Sequence, residues 1–128
     1  MSKDEFWNEQ LLYAANRQLY GFKFDDDAFA KFAEIADYCK KHGIRLRFIT
    51  LPTHADLHQR IREHGLEAEW RRFSERLRSM AETFDFDGPN QITGARENFD
   101  DPFHMTPETA SALIRRVWSP TAVPEGAH

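Results

Sequence analysis

The sequence lacks several features that would assign it to a specialised class. Cys39 is the only cysteine, so an intrachain disulfide is impossible and a small buried hydrophobic role is expected for it. The 17 basic residues are outnumbered by 21 acidic ones, and a net charge of −4 gives no attraction to nucleic acid or to an anionic membrane. No run of 18 apolar residues, signal peptide, internal repeat or low-complexity tract is present. We therefore expect a soluble chain without a membrane span, cytoplasmic by default, or in the cell envelope if it is a fragment of a longer exported protein.

The 128 residues are enough for one domain with its own core. Alternation of helical and strand patterns predicts an α/β fold, in which a few-stranded, mostly parallel sheet is flanked by helices in a flavodoxin-like three-layer arrangement. We predict a single domain over residues 1–118 and a flexible tail over residues 119–128.

Apolar periodicity predicts five helices. They cover residues 4–20, about 26–42, a short segment that ends at Gly65, residues 66–81, and a last helix that begins at Pro107 after the N-cap Thr106. Trp70 is expected in the core. The last helix is expected to turn four apolar residues inward, namely Ala110, Leu113, Ile114 and Val117.

Two strands are predicted. The segment "IRLRFITLP" alternates and then becomes wholly apolar, which indicates a strand over residues 44–51 that ends at Pro52, and "TFDFDG" indicates a short second strand. Residues 88–103 are expected to form an irregular loop of about 16 residues. Two strands cannot cover so many apolar helix faces. We therefore expect a third strand within the predicted helices, a self-associated sheet, or a chain that is part of something larger.

Polar side chains follow both predicted strands, where the sites of open α/β sheets lie. The loop "TLPTHADLH" contains His54 and His58. The second loop, "DFDGPNQITGARENFDDPFH", contains five further candidates, which are Asp85, Asp87, Asn90, Asp101 and His104. We expect these loops to form the site, with His54, Asp87 and Asn90 as possible substrate-loop residues.

Asp101 and His104 form a D-x-x-H motif in the segment "NFDDPFHMTPETASALIRRVW". An aspartate three residues before a histidine can accept the imidazole Nδ1–H and leave Nε2 free as a general base. The alternative is structural, because both residues also lie just before a helix and could form only the polar edge of its cap. The pair is the candidate catalytic acid and base.

The order of strand, long loop, D-x-x-H and Thr-Pro-capped helix resembles the carboxy-terminal block of the SGNH (GDSL-like) hydrolase superfamily. The segment "ENFDDPFHMTPETASALI" carries the resemblance, and "CKKHGIRLRFITLPTH", Trp70 and the strand "FDF" look similar to the later half of SGNH-like proteins of bacterial cell-envelope biology. Some of those proteins take part in O-acylation of surface polymers. The resemblance covers residues 26–118, with residues 1–21 as an added N-terminal helix. It implies that His104 is the catalytic base and Asp101 its orienting acid.

The family's nucleophile block has no counterpart here. That family takes its serine from a G-D-S motif near the first strand, and its oxyanion donors are a glycine and an asparagine of the next two blocks. This chain has none of these motifs. Its serines are Ser2, Ser74, Ser79, Ser111 and Ser119, and none follows a strand in a glycine-rich turn.

The resemblance therefore implies the later half of a serine esterase or O-acyltransferase domain, which would be inactive alone. Its substrate would be an acyl ester or a carbohydrate, it would need no cofactor, and a missing N-terminal half or another chain would supply the serine. The alternative is a non-catalytic α/β module for partner binding or for assembly as a homo-oligomer.

The remaining polar residues have ordinary structural interpretations. His54 and His58 have an i, i+4 spacing that can bind a metal, but no H-E-x-x-H motif or obvious third ligand accompanies them, so we expect exposed helix histidines and no metal site. A metal site formed by His54, His58 and carboxylates of the loops is the weaker alternative. Asp85 and Asp87 could serve in acid–base chemistry, hold magnesium or cap the loop that follows. Asn90 could equally form a turn.

Overall fold

The computed structural model describes residues 1–119, so the predicted tail lies outside the described residues from position 120 onward. This part of the chain contains five α-helices and four short strands. In chain order they are α1 (Lys3–Tyr13), α2 (Asp26–Lys41), β1 (Arg47–Thr50), α3 (Ala55–Glu63), α4 (Glu67–Met80), β2 (Glu82–Asp85), β3 (Phe99–Asp101), β4 (His104–Met105) and α5 (Pro107–Val117). A π-helical turn over Ala14–Gln18 extends α1, and a 3-10 turn over Arg96–Asn98 precedes β3.

Strands β1 and β2 form a two-stranded parallel sheet, in which Phe48 lies opposite Thr83 and Ile49 opposite Phe84. β1 is shorter than its sequence pattern predicts, whereas β2 is short as predicted and begins one residue before the predicted segment. The predicted strand over residues 44–51 is reduced to four residues, because β2 offers only four partners. The α/β class, with a small parallel sheet flanked by helices, is confirmed.

Helices pack on both faces of this sheet. On one face, Phe84 packs against Leu113 and Val117 of α5 in a fully buried cluster. On the other face, the rings of Phe48 and Phe32 of α2 lie 5.9 Å apart, and α4 packs beside α2. Alternate side chains of a strand point to opposite faces, so the consecutive residues 48 and 49 serve different helix layers.

A second buried cluster lies beneath α1. Trp7, Leu11 and Ala14 are buried, as their helical spacing predicts, and they pack against Leu57 of α3 and Phe99 of β3. Burial of this stripe is the main reason that α1 is stable, because a single helix of 11 residues is marginal in water.

Polar contacts also attach α1 to the rest of the domain. Lys3 Nζ donates to the Phe99 carbonyl at 2.7 Å, and Trp7 Nε1 donates to Asp56 Oδ2 at 3.0 Å. His64 Nε2 lies 2.8 Å from the Ala15 carbonyl, in the turn that extends α1. Helix α1 is therefore joined to β3 and α3 at both of its ends.

The predicted loop over residues 88–103 was wrong in its last part. It contains the 3-10 turn and β3, which pairs with β4 in an antiparallel hairpin separate from the parallel sheet. The third strand is thus hidden in the loop and not in a predicted helix. Phe99 explains the difference, because its fully buried ring fixes this segment beneath α1.

The positions of the helix ends agree with the sequence better than the predicted buried faces of the helices do. Gly43 and Gly65 follow α2 and α3 with φ of +66° and +68°, a conformation that glycine adopts at low cost. Ile114 was predicted to face inward but is 56% exposed, because the sheet beneath α5 is too narrow to cover it. Within residues 1–119, no helix combines the length and apolar character needed to cross a membrane.

Candidate functional site

The carboxyl ends of β1 and β2 meet at one edge of the sheet, at Thr50 and Asp85. Thr50 Oγ1 donates to Asp85 Oδ1 at 2.6 Å, and Arg78 Nη2 donates to Asp85 Oδ2 at 3.0 Å. Both carboxylate oxygens are therefore engaged by neighbouring side chains. Asp85 therefore has a structural role, in which its carboxylate joins the end of β2 to the end of β1.

Asp87 holds the loop after β1 through one oxygen. Asp87 Oδ1 accepts from the backbone N–H and from the hydroxyl of Thr53, both at 2.6 Å. The same oxygen lies 3.0 Å from His58 Nε2, and Thr53 Oγ1 lies 3.0 Å from that nitrogen as well. We call Thr53, His58 and Asp87 the Asp87 cluster. A proton relay needs a carboxylate and a hydroxyl on opposite imidazole nitrogens, so this cluster positions the loop and does not resemble a catalytic triad.

The prediction that His58 is an exposed helix histidine was wrong. His58 is 3% exposed, and its ring lies 4.7 Å from that of Trp70. A buried imidazole needs a polar partner, and Asp87 supplies one from 29 residues further along the chain. That separation explains why helical spacing alone did not reveal the burial.

His54 is also buried, contrary to the exposed position predicted for it. Its Nδ1 accepts the Asp56 N–H at 2.9 Å, so His54 is the N-cap of α3. Its ring packs edge-on against Trp7 and Phe99. Desolvation lowers the pKa of His54 below its ordinary value of 6.5. At 6% exposure, this side chain does not lie on the surface where a substrate loop would place it.

Asn90 forms the turn after β2 with all of its side-chain polar atoms. Its Oδ1 accepts from the backbone N–H groups of Ile92 and Thr93 at 2.8 and 2.9 Å. Its Nδ2 donates to the carbonyls of Phe86 and Gly88 at 3.1 and 3.0 Å. The turn interpretation therefore describes Asn90 in this structure.

The β3–β4 hairpin is fixed to the loop that leaves β1. The His54 N–H donates to the Pro102 carbonyl at 2.9 Å, and the Ala55 N–H donates to the Thr93 carbonyl at 2.8 Å. Pro102 lies in the turn of the hairpin, between Asp101 and His104. These backbone bonds therefore place the D-x-x-H motif beside the loops that follow the parallel strands.

Asp101 and His104 are in direct contact. His104 Nδ1 lies 2.9 Å from both carboxylate oxygens of Asp101. Asp101 Oδ1 also accepts the backbone N–H groups of Phe103 and His104, at 2.8 and 3.1 Å. The carboxylate is thus held rigidly by its own turn, and it favours the imidazole tautomer that carries its proton on Nδ1.

The two members of this pair differ sharply in exposure. The Asp101 side chain is 12% exposed, whereas that of His104 is 74% exposed. Thr106 is the N-cap of α5, through a bond from the Thr109 N–H at 3.3 Å, so the helix does not use Asp101 or His104 as its cap. A buried acid that orients an exposed base leaves the base able to meet a reactant.

A largely apolar cavity of about 540 Å³ adjoins this hairpin. Phe103 lies in its wall, and Thr53 and Asp87 supply polar groups there. Phe22 and Phe24, which lie between α1 and α2, also line the cavity, and the Phe24 ring stacks on Phe73 at 4.3 Å. The alternation of these two phenylalanines was the available sequence signal for the cavity.

Within residues 1–119, no group of three or more histidine, cysteine, aspartate or glutamate side chains is arranged to hold a metal ion. Comparisons with family models, with curated proteins and with solved structures gave no match. The geometry of the described residues is therefore the basis for any functional conclusion.

Proposed function

We propose that this chain supplies the acid–base half of an esterase or O-acyltransferase of the SGNH-like type. The observation that carries the proposal is the contact between both Asp101 oxygens and His104 Nδ1, on an imidazole that is 74% exposed. His104 would be the general base and general acid, and Asp101 would orient it and stabilise the imidazolium. The sequence resemblance of the D-x-x-H block supports the same assignment.

In the proposed reaction, His104 Nε2 takes the proton of a serine hydroxyl as the oxygen attacks an ester carbonyl. The imidazolium then gives that proton to the departing alkoxide, which leaves an acyl-serine. His104 next takes a proton from water or from a sugar hydroxyl, and this acceptor attacks the acyl-serine. The serine regains its proton, so His104 ends each cycle neutral.

The serine in this scheme would come from another polypeptide segment, because all five serines of this sequence lie within residues 1–119 and none follows a strand in a glycine-rich turn. Ser2 Oγ accepts the Glu5 N–H and Ser79 Oγ donates to the Arg76 carbonyl, so these hydroxyls have partners other than His104. The apolar cavity supports an acyl ester as the substrate class, because Phe103, the residue that precedes the proposed base, lies in its wall.

Acylation of individual histidines by diethyl pyrocarbonate, followed by mass spectrometry of the peptides, tests the role of His104 without the missing serine. His42 is a matched control, because it is exposed and its Nδ1 lies 2.8 Å from a neutral carbonyl, that of Tyr38. We expect His104 to react faster than His42, and Asp101→Asn to slow His104 severalfold without changing His42. Equal rates at His104 in the wild type and in Asp101→Asn would refute the orienting role of Asp101.

A fluorophosphonate probe and p-nitrophenyl acetate test where the nucleophile is. We expect no labelled serine and no burst of p-nitrophenol, either in the wild type or in His104→Ala. Labelling of the wild type that disappears in His104→Ala would show that the nucleophile lies on this chain. The proposal of a half-site would then be wrong, although the acid–base role of His104 would stand.

A further inference from the structure

The outer edge of β1 is the most unusual surface of the described domain. Among residues 1–119, β1 pairs only with β2, so its other edge has no strand beside it. Ile49 and Leu51 are nevertheless 41% and 59% exposed at this edge. Exposed strand edges of stable proteins usually carry charges, proline or a covering segment, because a bare apolar edge pairs with other strands.

Apolar grooves flank this edge on both faces of the sheet. The groove on the α2 and α4 side has a volume of about 510 Å³ and is lined by Phe32, Phe48 and Leu51 among others. The groove on the α5 side has a volume of about 410 Å³ and is lined by Arg45, Arg47, Val117 and Trp118 among others. Both guanidinium groups are paired with Glu82 of β2. Ile49 belongs to both grooves, so they form one continuous surface around β1. We call it the β1 edge surface.

We propose that the β1 edge surface binds a second copy of this chain, through antiparallel pairing of the two β1 strands. The grooves require a strand with apolar side chains on both faces, since such side chains alternate between the two sides of a sheet. β1 itself has this property, because Phe48 and Ile49 point to opposite faces of the sheet, and among residues 1–119 its outer edge pairs with no strand. A surface that fits its own strand can associate about a twofold axis.

The exposed area agrees with a dimer interface. Ile49, Leu51 and Trp118, which line the two grooves, are 41%, 59% and 70% exposed. Together they present surface on the order of 400 Å², the size of the largest and often functional patch on a typical monomer, and about half of the roughly 800 Å² per partner of a standard interface. The resulting sheet would have four strands, in the order β2, β1, β1 and β2.

This inference is independent of the role proposed for His104, which lies on β4 and not on β1. Dimerisation and histidine acylation are measured separately, so failure of one proposal leaves the other unaffected. A dimer would also extend the sheet to four strands, which cover more of the apolar helix faces than two strands can cover.

Sedimentation velocity over a range of protein concentrations, on the wild type and on Leu51→Lys, tests the proposal. Leu12→Lys is a matched control, because Leu12 on α1 is 60% exposed, nearly the same as Leu51. We expect a wild-type dimer at micromolar concentrations and a dissociation constant raised at least about tenfold by Leu51→Lys, since an edge lysine opposes strand pairing. Leu12→Lys should leave the dimer unchanged, and circular dichroism should show the same helix content in all three proteins.

Three results would overturn the proposal. A wild-type protein that remains monomeric at about 100 µM, well above the micromolar concentrations at which the dimer is expected, would show that the β1 edge surface does not bind a second copy. A dimer that tolerates both Leu51→Lys and Ile49→Lys would use another surface. Equal weakening by Leu12→Lys and Leu51→Lys would show a general effect of added charge.

Discussion

Replacing Asp87 by alanine should destabilise the domain more than replacing any exposed carboxylate. Asp87 Oδ1 accepts the N–H and the hydroxyl of Thr53 and lies 3.0 Å from His58 Nε2, so the substitution removes one acceptor from three donors. A buried donor left without a partner costs about 1–3 kcal/mol. The Thr53 hydroxyl can rotate and still form a hydrogen bond with His58 Nε2 at 3.0 Å. The backbone N–H of Thr53 is therefore the donor that is left without a partner.

The expected loss of unfolding free energy is about 2–4 kcal/mol for Asp87→Ala. The loss stays within this range, because the Asp87 side chain is 17% exposed and water can replace part of the lost bonding. Asp87→Asn keeps one acceptor oxygen but loses the charge, and should cost about 1–2 kcal/mol. With a urea slope on the order of 2 kcal/mol/M, Asp87→Ala should lower the midpoint by about 1–2 M.

Urea unfolding followed by tryptophan fluorescence measures this loss. Trp70 is a local reporter, since its ring lies 4.7 Å from that of His58. Asp37→Ala is the control, because Asp37 is exposed on α2, and it should change stability by less than about 0.5 kcal/mol. If the midpoints of Asp87→Ala and Asp37→Ala agree within error, the claim that Asp87 organises the loop after β1 is refuted.

Three further predictions concern stability. Because burial lowers the pKa of His54 below 6.5, the unfolded chain binds a proton first as pH falls, so the wild type should lose stability below about pH 6.5. His54→Ser keeps a capping oxygen but does not titrate in this range. The urea midpoint should therefore fall less between pH 7.5 and pH 5.5 for the variant than for the wild type. An equal fall would contradict the conclusion that His54 causes the loss. Phe84→Ala removes a fully buried ring and should lower the unfolding free energy by about 3–5 kcal/mol in the same assay. Ile114→Ala changes a half-exposed side chain and should lower it by less than about 1 kcal/mol. Similar losses for the two variants would show that Phe84 does not lie in the core. Asn90→Ala should cost about 1–3 kcal/mol, and Asn90→Asp should recover part of this because it keeps the acceptor; no difference between them would mean that the turn does not depend on Oδ1.

Local signals in the sequence predicted the helices well. Asp25 and Thr106 cap α2 and α5 through their own side chains, and Gly43 and Gly65 follow α2 and α3. Each of these features depends on neighbours within about four residues, so the sequence window contains all of its causes. The α/β class follows from the same signals, because a helix, a glycine and an apolar strand appear in that order.

The burial of polar residues could not be predicted in this way. His54 and His58 were predicted to be exposed, yet both are buried, because their surroundings include Trp7 and Asp87 from distant parts of the chain. The hairpin was missed for a related reason, since its strands are only three and two residues long. Spacing identified Asp101 and His104 as a pair, and the structure adds that the acid is buried and the base exposed.

Helix α1 has a consequence for how the domain can be divided. The sequence resemblance begins only at residue 26, which suggests that residues 1–21 are an addition. In the structure, Trp7 and Leu11 cover Phe99, and Lys3 binds the carbonyl of that same residue, two positions before Asp101. The minimal folding unit therefore includes the N-terminal helix, and α1 and the hairpin should open together as one foldon in hydrogen exchange. A protein that begins at residue 26 would expose the apolar underside of the strand that carries the proposed orienting acid.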